Sequence, residues 1–588
     1  MTKGPPTTRL HVSRTKLLES IAIGVVFGVP LALFLALAPL DPDPHHDGYQ
    51  VAVAVVIAEG GRPHVDVFDQ YGPLTGELFG WTLRLTEPTL LNLRIVTSVL
   101  LALTCATAYV VARQVNIGRV PAALIVMTWG ALIPAAGVYA PELQLWPWPS
   151  VLFTLVAQIV VIILLVSVKN PNSAGIWFAF GAFLVVPVFI RINQGLPLVI
   201  ALVIGLLMHQ HTRRAFLARW KDWGAGASTS ISLIIVYLVL RSDISLFLHD
   251  AITGPLSQYL VEGPDATSKV LTPVDLPRVL LGSFMLASLP FLAALWLLAQ
   301  YLRKNRHLLT AVALASAMGL VLALIASVGY YGRTRTLVTE NGSMLDTASL
   351  NALGSSPLYA GWLFTVGFFI SVVLMSVRTR RISLSPRVFL VLVSAVALTT
   401  QTFPRWDVYH LWWAGPILLI SMFSVVLPRV PRQNRIVLVS AVTIPYITVA
   451  AYSATNLLLQ PRVIVEDGAL TGMRVTQERM ESASTLDLLS RTVPAGSAAI
   501  ECSDGLVSAP AGQSLSSGPN FVSWGWSQAA TSAVEPDFVI VCYDEPEKAE
   551  TQAATDGYES VFGPLPLSMS PWSQDWVSLY RKEPVQAN

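Results

Sequence analysis

The chain alternates between long apolar runs and short polar breaks. The runs, about 14–24 residues each, have the length of bilayer-crossing helices. Thirteen spans are predicted, at 20–40, 95–112, 120–140, 149–168, 174–190, 195–208, 225–240, 280–300, 308–331, 357–377, 388–403, 411–428 and 436–454. Soluble folds have no use for such runs, so residues 1–456 read as an all-α polytopic membrane domain. The first run follows Lys3, Arg9, Arg14 and Lys16 and is not trailed by a small-residue cleavage site, so it reads as an uncleaved span. After residue 456 the long runs stop and Ser, Gly, Asp and Glu rise, so residues 457–588 read as a soluble α/β domain. There a helix is expected over 474–491 and strands over 497–502, 537–543 and 576–580, forming an α/β sandwich or a small Rossmann-like sheet.

Composition fits this pattern: 588 residues, 53% hydrophobic and only 13% charged, with a mean hydropathy of +0.58. The charges set the orientation. With the N-terminus cytoplasmic, the inner segments hold 21 Lys and Arg in 70 residues, against 10 in about 137 for the outer loops before the tail. The expected location is therefore the plasma membrane, with loop 41–94 and the tail both extracytoplasmic. The basic residues form an inner rim facing membrane lipids and no nucleic-acid patch. Of the three cysteines, Cys105 lies inside a span, while Cys502 and Cys542 end strand-like runs in the exported tail. There they are expected to pair as a disulfide, the other reading being two buried thiols. No Walker loop, dinucleotide fingerprint or nucleophile elbow is present, so ATP-driven transport and serine-hydrolase chemistry lack support.

Three polar clusters fall at outer span ends. The first loop carries His46-Asp47-Gly48-Tyr49 and, downstream, Asp66, Asp69 and Gln70-Tyr71-Gly72-Pro73. The turn between the short fifth and sixth spans carries Arg191, Asn193 and Gln194, and Arg405, Asp407 and His410 sit between the eleventh and twelfth. An arginine at a span end needs a partner or a wet cavity, so Arg94, Arg191 and Arg405 each point to an anion; the plainer reading pairs Arg405 with Asp407 and Arg94 with a loop acid. Tyr139, Trp146, Trp148, Tyr409, Trp412 and Trp413 cluster on the same face, where belt anchoring accounts for most of them. His45, His46 and Asp47, with Asp41 and Asp43, could offer ligands to a divalent ion, but their spacing matches no standard metal site and no cofactor is expected.

The acid before Gly48-Tyr49, the Gly-Gly-Arg-Pro-His-Val-Asp stretch, Gln70-Tyr71-Gly72-Pro73-Leu74 and the late Pro404-Arg405-Trp406-Asp407 stretch resemble motifs of the GT-C membrane glycosyltransferases. These include protein O-mannosyltransferases, lipid A aminoarabinose transferases and cell-wall arabinofuranosyl- and mannosyltransferases. The resemblance implies transfer of a sugar from a polyprenyl-phosphate donor to a hydroxyl of a glycan, lipid or protein acceptor. It also implies that a first-loop acid acts as base, and the matching residue is Asp47. Many members carry two adjacent acids there, whereas His46 precedes Asp47 here, leaving open whether Asp47 acts alone, with His46, or with Asp66 or Asp69. His46, Tyr49, Asp66, Asp69, Tyr71, Arg191, Asn193, Arg405, Asp407 and His410 are the candidate substrate-binding residues. The alternative is a lipid-linked saccharide flippase, which should show midplane charges and repeated halves; the span interiors are nearly free of charge and no repeat is visible. Alkaline phosphatase fused after Asn588 should be active and the same reporter after Arg306 inactive; a well-expressed but inactive C-terminal fusion would overturn the orientation.

Overall fold

The computed structural model describes residues 8–42, 46–67, 69, 71–135, 145–253, 292, 295–300, 302–303, 347–379, 382–402, 408–466, 470–492, 499–500, 538–543, 558–566 and 576–582. The first half comprises α1 (Thr8–Leu37), α2 (His46–Ala58), α3 (Pro73–Leu85), α4 (Leu90–Gln114), α5 (Arg119–Ala135), α6 (Pro149–Lys169), α7 (Ala174–Ile190), α8 (Ile192–Met208), α9 (Gln210–Ala218), α10 (Trp220–Arg241) and α11 (Ile244–Leu248). Then follow α12 (Thr347–Thr379), α13 (Pro386–Leu398), α14 (Val408–Val426), α15 (Arg435–Leu459) and α16 (Met480–Thr492). The spans expected at 280–300 and 308–331 lie mostly or wholly outside the described residues; the other eleven coincide with helices.

Among the described residues, six helical stretches are long and apolar enough to cross a bilayer: Thr15–Leu37, Leu90–Gln114, Pro149–Lys169, Trp220–Arg241, Ala360–Thr379 and Leu411–Arg429. They make this a multi-pass membrane protein. α8 and α9 would supply a seventh if counted together, although they meet at a 108° bend. The shortfall from thirteen has a plain cause in part: α7 and α8 have only 17 residues each, at the lower limit for a crossing.

The helices place two kinds of chemistry at opposite ends. At one end Arg113 and Arg119 both bind Glu19 (2.7 and 2.8 Å), Arg219 caps the carbonyls of Pro171 and Asn172, and Arg387 reaches the Gln114 carbonyl. At the other end lie Arg94, Arg191 and the start of α14. Close crossings rely on glycine: a Cβ on Gly181 of α7 would overlap the Trp223 carbonyl, and one on Gly226 of α10 the Phe178 carbonyl. Trp412, expected in an interfacial belt, is instead fully buried and stacks on Trp129 of α5 at 4.5 Å, and Trp413 is buried too.

Beyond α15, strands β1 (Val463–Ile464) and β2 (Arg474–Val475) pair antiparallel. β3 (Ala499–Ile500), β4 (Phe538–Tyr543), β5 (Tyr558–Pro566) and β6 (Trp576–Lys582) form a mixed sheet ordered β3-β4-β6-β5, in which only β3 and β4 are parallel. Among the described residues the sheet is thus mixed, where a Rossmann-like arrangement would be parallel. The helix expected from 474 begins at Met480, because Arg474–Val475 is taken up by pairing with β1. Cys542 lies in β4 opposite Val577, but Cys502 falls outside the described residues, as does the disulfide expectation. Val465, Met473, Val475, Leu486, Leu489, Val577 and Leu579 share one apolar core with α2, α3 and the start of α4. Gly181→Val should lower the melting temperature in detergent through an overpacking cost on the order of 1–3 kcal/mol, whereas Gly175→Val, where a Cβ has open space, should leave it near wild type.

Candidate active site

The site end is built on the first loop. α1 stops at Leu37, and Asp41 turns the chain in the left-handed region (φ 38°). Main-chain bonds fix that turn to β2, Asp41 N donating to Arg474 O (3.0 Å) and Arg474 N to Pro39 O (2.6 Å). The Asp41 carboxylate accepts from Arg462 at 2.6 Å with both side chains buried. α2 then starts with Asp47 in its first turn, where the helix dipole favours a carboxylate.

Arg94, in the second turn of α4, closes this corner. Its Nε donates to Asp47 Oδ1 (3.1 Å) and its Nη2 to Asp47 Oδ2. The remaining donors take the carbonyls of Ala38 (3.2 Å), Leu40 (2.5 Å) and Asp41 (3.1 Å). All five guanidinium hydrogens are used, and both side chains have no exposure. Arg94 thus meets the loop acid that the plainer sequence reading expected.

Farther along, Asp66 is half-exposed and pairs with Arg62 four residues earlier in the same loop, which raises the Arg62 pKa. Asp69 is buried, its Oδ1 accepting from Tyr71 N (2.9 Å). Gly72 follows because nothing larger fits: its N–H donates to Ile190 O (3.0 Å), and a Cβ would overlap the Phe189 carbonyl. Pro73 opens α3, whose Gly76 and Gly80 let Val53 and Ile57 of α2 approach. The Tyr-Gly-Pro motif is therefore a splice joining the loop to the end of α7.

That splice brings Tyr71 to Arg191. The guanidinium lies 4.7 Å from the Tyr71 ring centroid, its Nη1 donates to Ser150 Oγ, and Tyr71 meets Trp148 edge-on at 5.4 Å. Arg191 is 5% exposed, has no carboxylate partner among the described residues, and its Nε has no hydrogen-bond partner among them. Further buried polar atoms at this end, Gln50 Nε2, Thr75 Oγ1 and both amide atoms of Gln194 and Gln401, are likewise unpartnered among the described residues.

The structure thus gathers Asp47 with Arg94 and Asp41, and Asp69 and Tyr71 with Arg191. Asp66 and Asn193 stand exposed to different degrees outside these contacts. His46 and Tyr49 lie on α2 and His410 on α14, but their side chains, like residues Arg405 and Asp407 entirely, fall outside the described set. Among the described residues no three His, Cys, Asp or Glu side chains gather as a metal site.

No protein-family profile matches the chain, and no curated protein matches it significantly. Among solved structures it is similar to the Archaeoglobus fulgidus oligosaccharyltransferase in complex with zinc and sulfate, at 10% identity and TM-score 0.46, over 88% of this chain and 67% of that one. It is also similar to ArnT from Cupriavidus metallidurans bound to undecaprenyl phosphate, at 12% identity and TM-score 0.40, over 96% and 98% of the two chains. Apo ArnT gives 11% identity and the same TM-score, over 97% and 98%. Likenesses this distant carry no chemistry, which has to come from the residues.

Sequence reasoning missed Arg462, Ser150, Gln50 and Gln401. Arg462 lies just past the last apolar run, a position that gives no hint of a loop 421 residues earlier. Uncharged Gln and Ser at span ends carry no signal until their burial is known. Arg94→Met should cost about 3–5 kcal/mol by leaving Asp47 buried and unpaired, and adding Asp47→Leu should recover part of that loss in the thermal melt. A single Arg94→Met variant as stable as wild type would show the pair to be dispensable.

Proposed function

We propose that this is a membrane glycosyltransferase moving a sugar from a polyprenyl-phosphate carrier to an acceptor hydroxyl at the extracytoplasmic face, with the N-terminus cytoplasmic. The observation carrying this reading is Arg191, a buried guanidinium that Ser150 and Tyr71 orient and that lacks a carboxylate among the described residues. Leaving such a charge unpaired costs several kcal/mol, so the position makes sense when an anion arrives. A guanidinium fork suits phosphate, and a lipid-borne phosphate explains a site at the end of bilayer-crossing helices. The sequence resemblance points the same way.

In this mechanism the acceptor oxygen attacks the anomeric carbon while its proton passes to a carboxylate. The bond from that carbon to the phosphate oxygen breaks, its electron pair leaves with the polyprenyl phosphate, and the anomeric centre inverts. Asp47 is the proposed base, with Arg94 fixing the direction of its lone pairs. Ion pairing weakens a carboxylate as a base, which keeps the buried Asp69 beside Tyr71 as its competitor for the role. Arg191 offsets the charge growing on the leaving phosphate. Arg405, Asp407, His410, His46 and Tyr49 are proposed to complete the donor and acceptor contacts.

Asp47→Asn should lower turnover on the order of 10²–10⁴-fold while donor binding persists in the folded fraction, and Asp69→Asn should cost less. The reverse order would move the base to Asp69. Arg191→Lys keeps the charge but loses the fork, so donor use should fall clearly; unchanged donor KM and turnover would remove Arg191 from the site.

A further inference from the structure

Two glutamines at the Arg191 end of the helices have no role in the mechanism above. Gln194 sits in the first turn of α8 and Gln401 in the single 3-10 turn Thr399–Thr402 that ends α13. α8 and α13 run antiparallel: His209 after α8 meets the Leu384 carbonyl just before α13 at 3.2 Å, and Gly205 lies against Val393. This register carries the start of α8 to the end of α13, and the turn holding Gln401 contacts α8 there. Each amide is 1% exposed, and neither its oxygen nor its nitrogen has a partner among the described residues.

A buried primary amide with four idle hydrogen-bonding positions is expensive to keep, and a leucine of similar size would suit an apolar interior better. The register brings two such amides to the end of the helices that carries Arg191, whose Nε is also idle, so neutral polar groups and a cation share one end. The cation suits phosphate. An amide, donor and acceptor side by side in one plane, suits neighbouring hydroxyl groups, each of which both gives and takes a hydrogen bond.

We propose that Gln194 and Gln401 bind the hydroxyl groups of the donor sugar and set which sugar the protein accepts. The assignment rests on the polyprenyl-phosphate reading of Arg191 and extends it from the phosphate to the group transferred. A site built to satisfy hydroxyls leaves its own amides unpaired when the hydroxyls are missing, so it discriminates against bare lipid phosphate as well as wrong sugars.

The test uses the full chain in nanodiscs and measures binding of farnesyl phosphate and of farnesyl-phosphoryl mannose, glucose, galactose and arabinofuranose. Wild type should prefer at least one glycosylated lipid over farnesyl phosphate. Gln194→Leu and Gln401→Leu should each erase about three- to tenfold of that preference, the scale of one or two hydrogen bonds, and leave farnesyl phosphate binding intact. Arg191→Gln should weaken every lipid phosphate alike. Both leucine variants should melt at or above the wild-type temperature, since they remove a buried unpaired amide. An unchanged sugar preference in both variants overturns the assignment while leaving the phosphate reading standing, as does a lowered melting temperature, which would mark the amides as structural partners. Failure of wild type to bind any of the five lipids overturns the phosphate reading and this inference with it.

Discussion

The corner made by Arg94 holds the site end together. One side chain from α4 satisfies three carbonyls where α1 gives way to the loop and both oxygens of the acid that opens α2. Carbonyls after a helix end have lost their intrahelical donors, and in an apolar setting water cannot replace them. Arg94 supplies those donors and a countercharge at once, so the direction of α2, and of everything α2 carries, depends on it.

Against the saturated guanidinium of Arg94 stands the unsaturated corner around Arg191. Every guanidinium hydrogen of Arg94 has an acceptor, whereas around Arg191 its Nε and several amide atoms wait without a partner among the described residues. Folding tolerates such debts only where something else settles them, and functional sites are the usual place. The glycine splice at Gly72 explains why the second corner exists, because only a residue without a side chain lets the loop reach the end of α7 and set Tyr71 against Arg191.

Much of the architecture was readable from the chain because apolar run length is a direct physical measure of a bilayer-crossing helix. The runs at 149–168 and 225–240 match α6 and α10 within a few residues. What stayed hidden depends on distance. Asp47 and Arg94 each stood out, but nothing in a linear sequence says that residues 47 positions apart share a bond. Trp412 looked interfacial because tryptophan near a span end usually is, and only the packing of α14 on α5 reveals it as core. Strand β5 was missed because Gly563 and Pro564 interrupt its apolar pattern, leaving the bulged pairing with β6 without a local signature. Gln401 was silent for a similar reason: a neutral amide becomes informative only when its surroundings are known to be dry.

The apolar core shared by α2, α3 and the C-terminal strands has a consequence for biosynthesis. Residues 51–57 leave the ribosome early, whereas Val577 and Leu579, which pack in the same core, follow only after more than 500 further residues have been made. The loop therefore emerges as a half-built surface and stays so while the intervening helices are inserted, its greasy side without a cover. Maturation of the site waits for the tail strands, and whatever guards the nascent chain must shield that surface until they arrive.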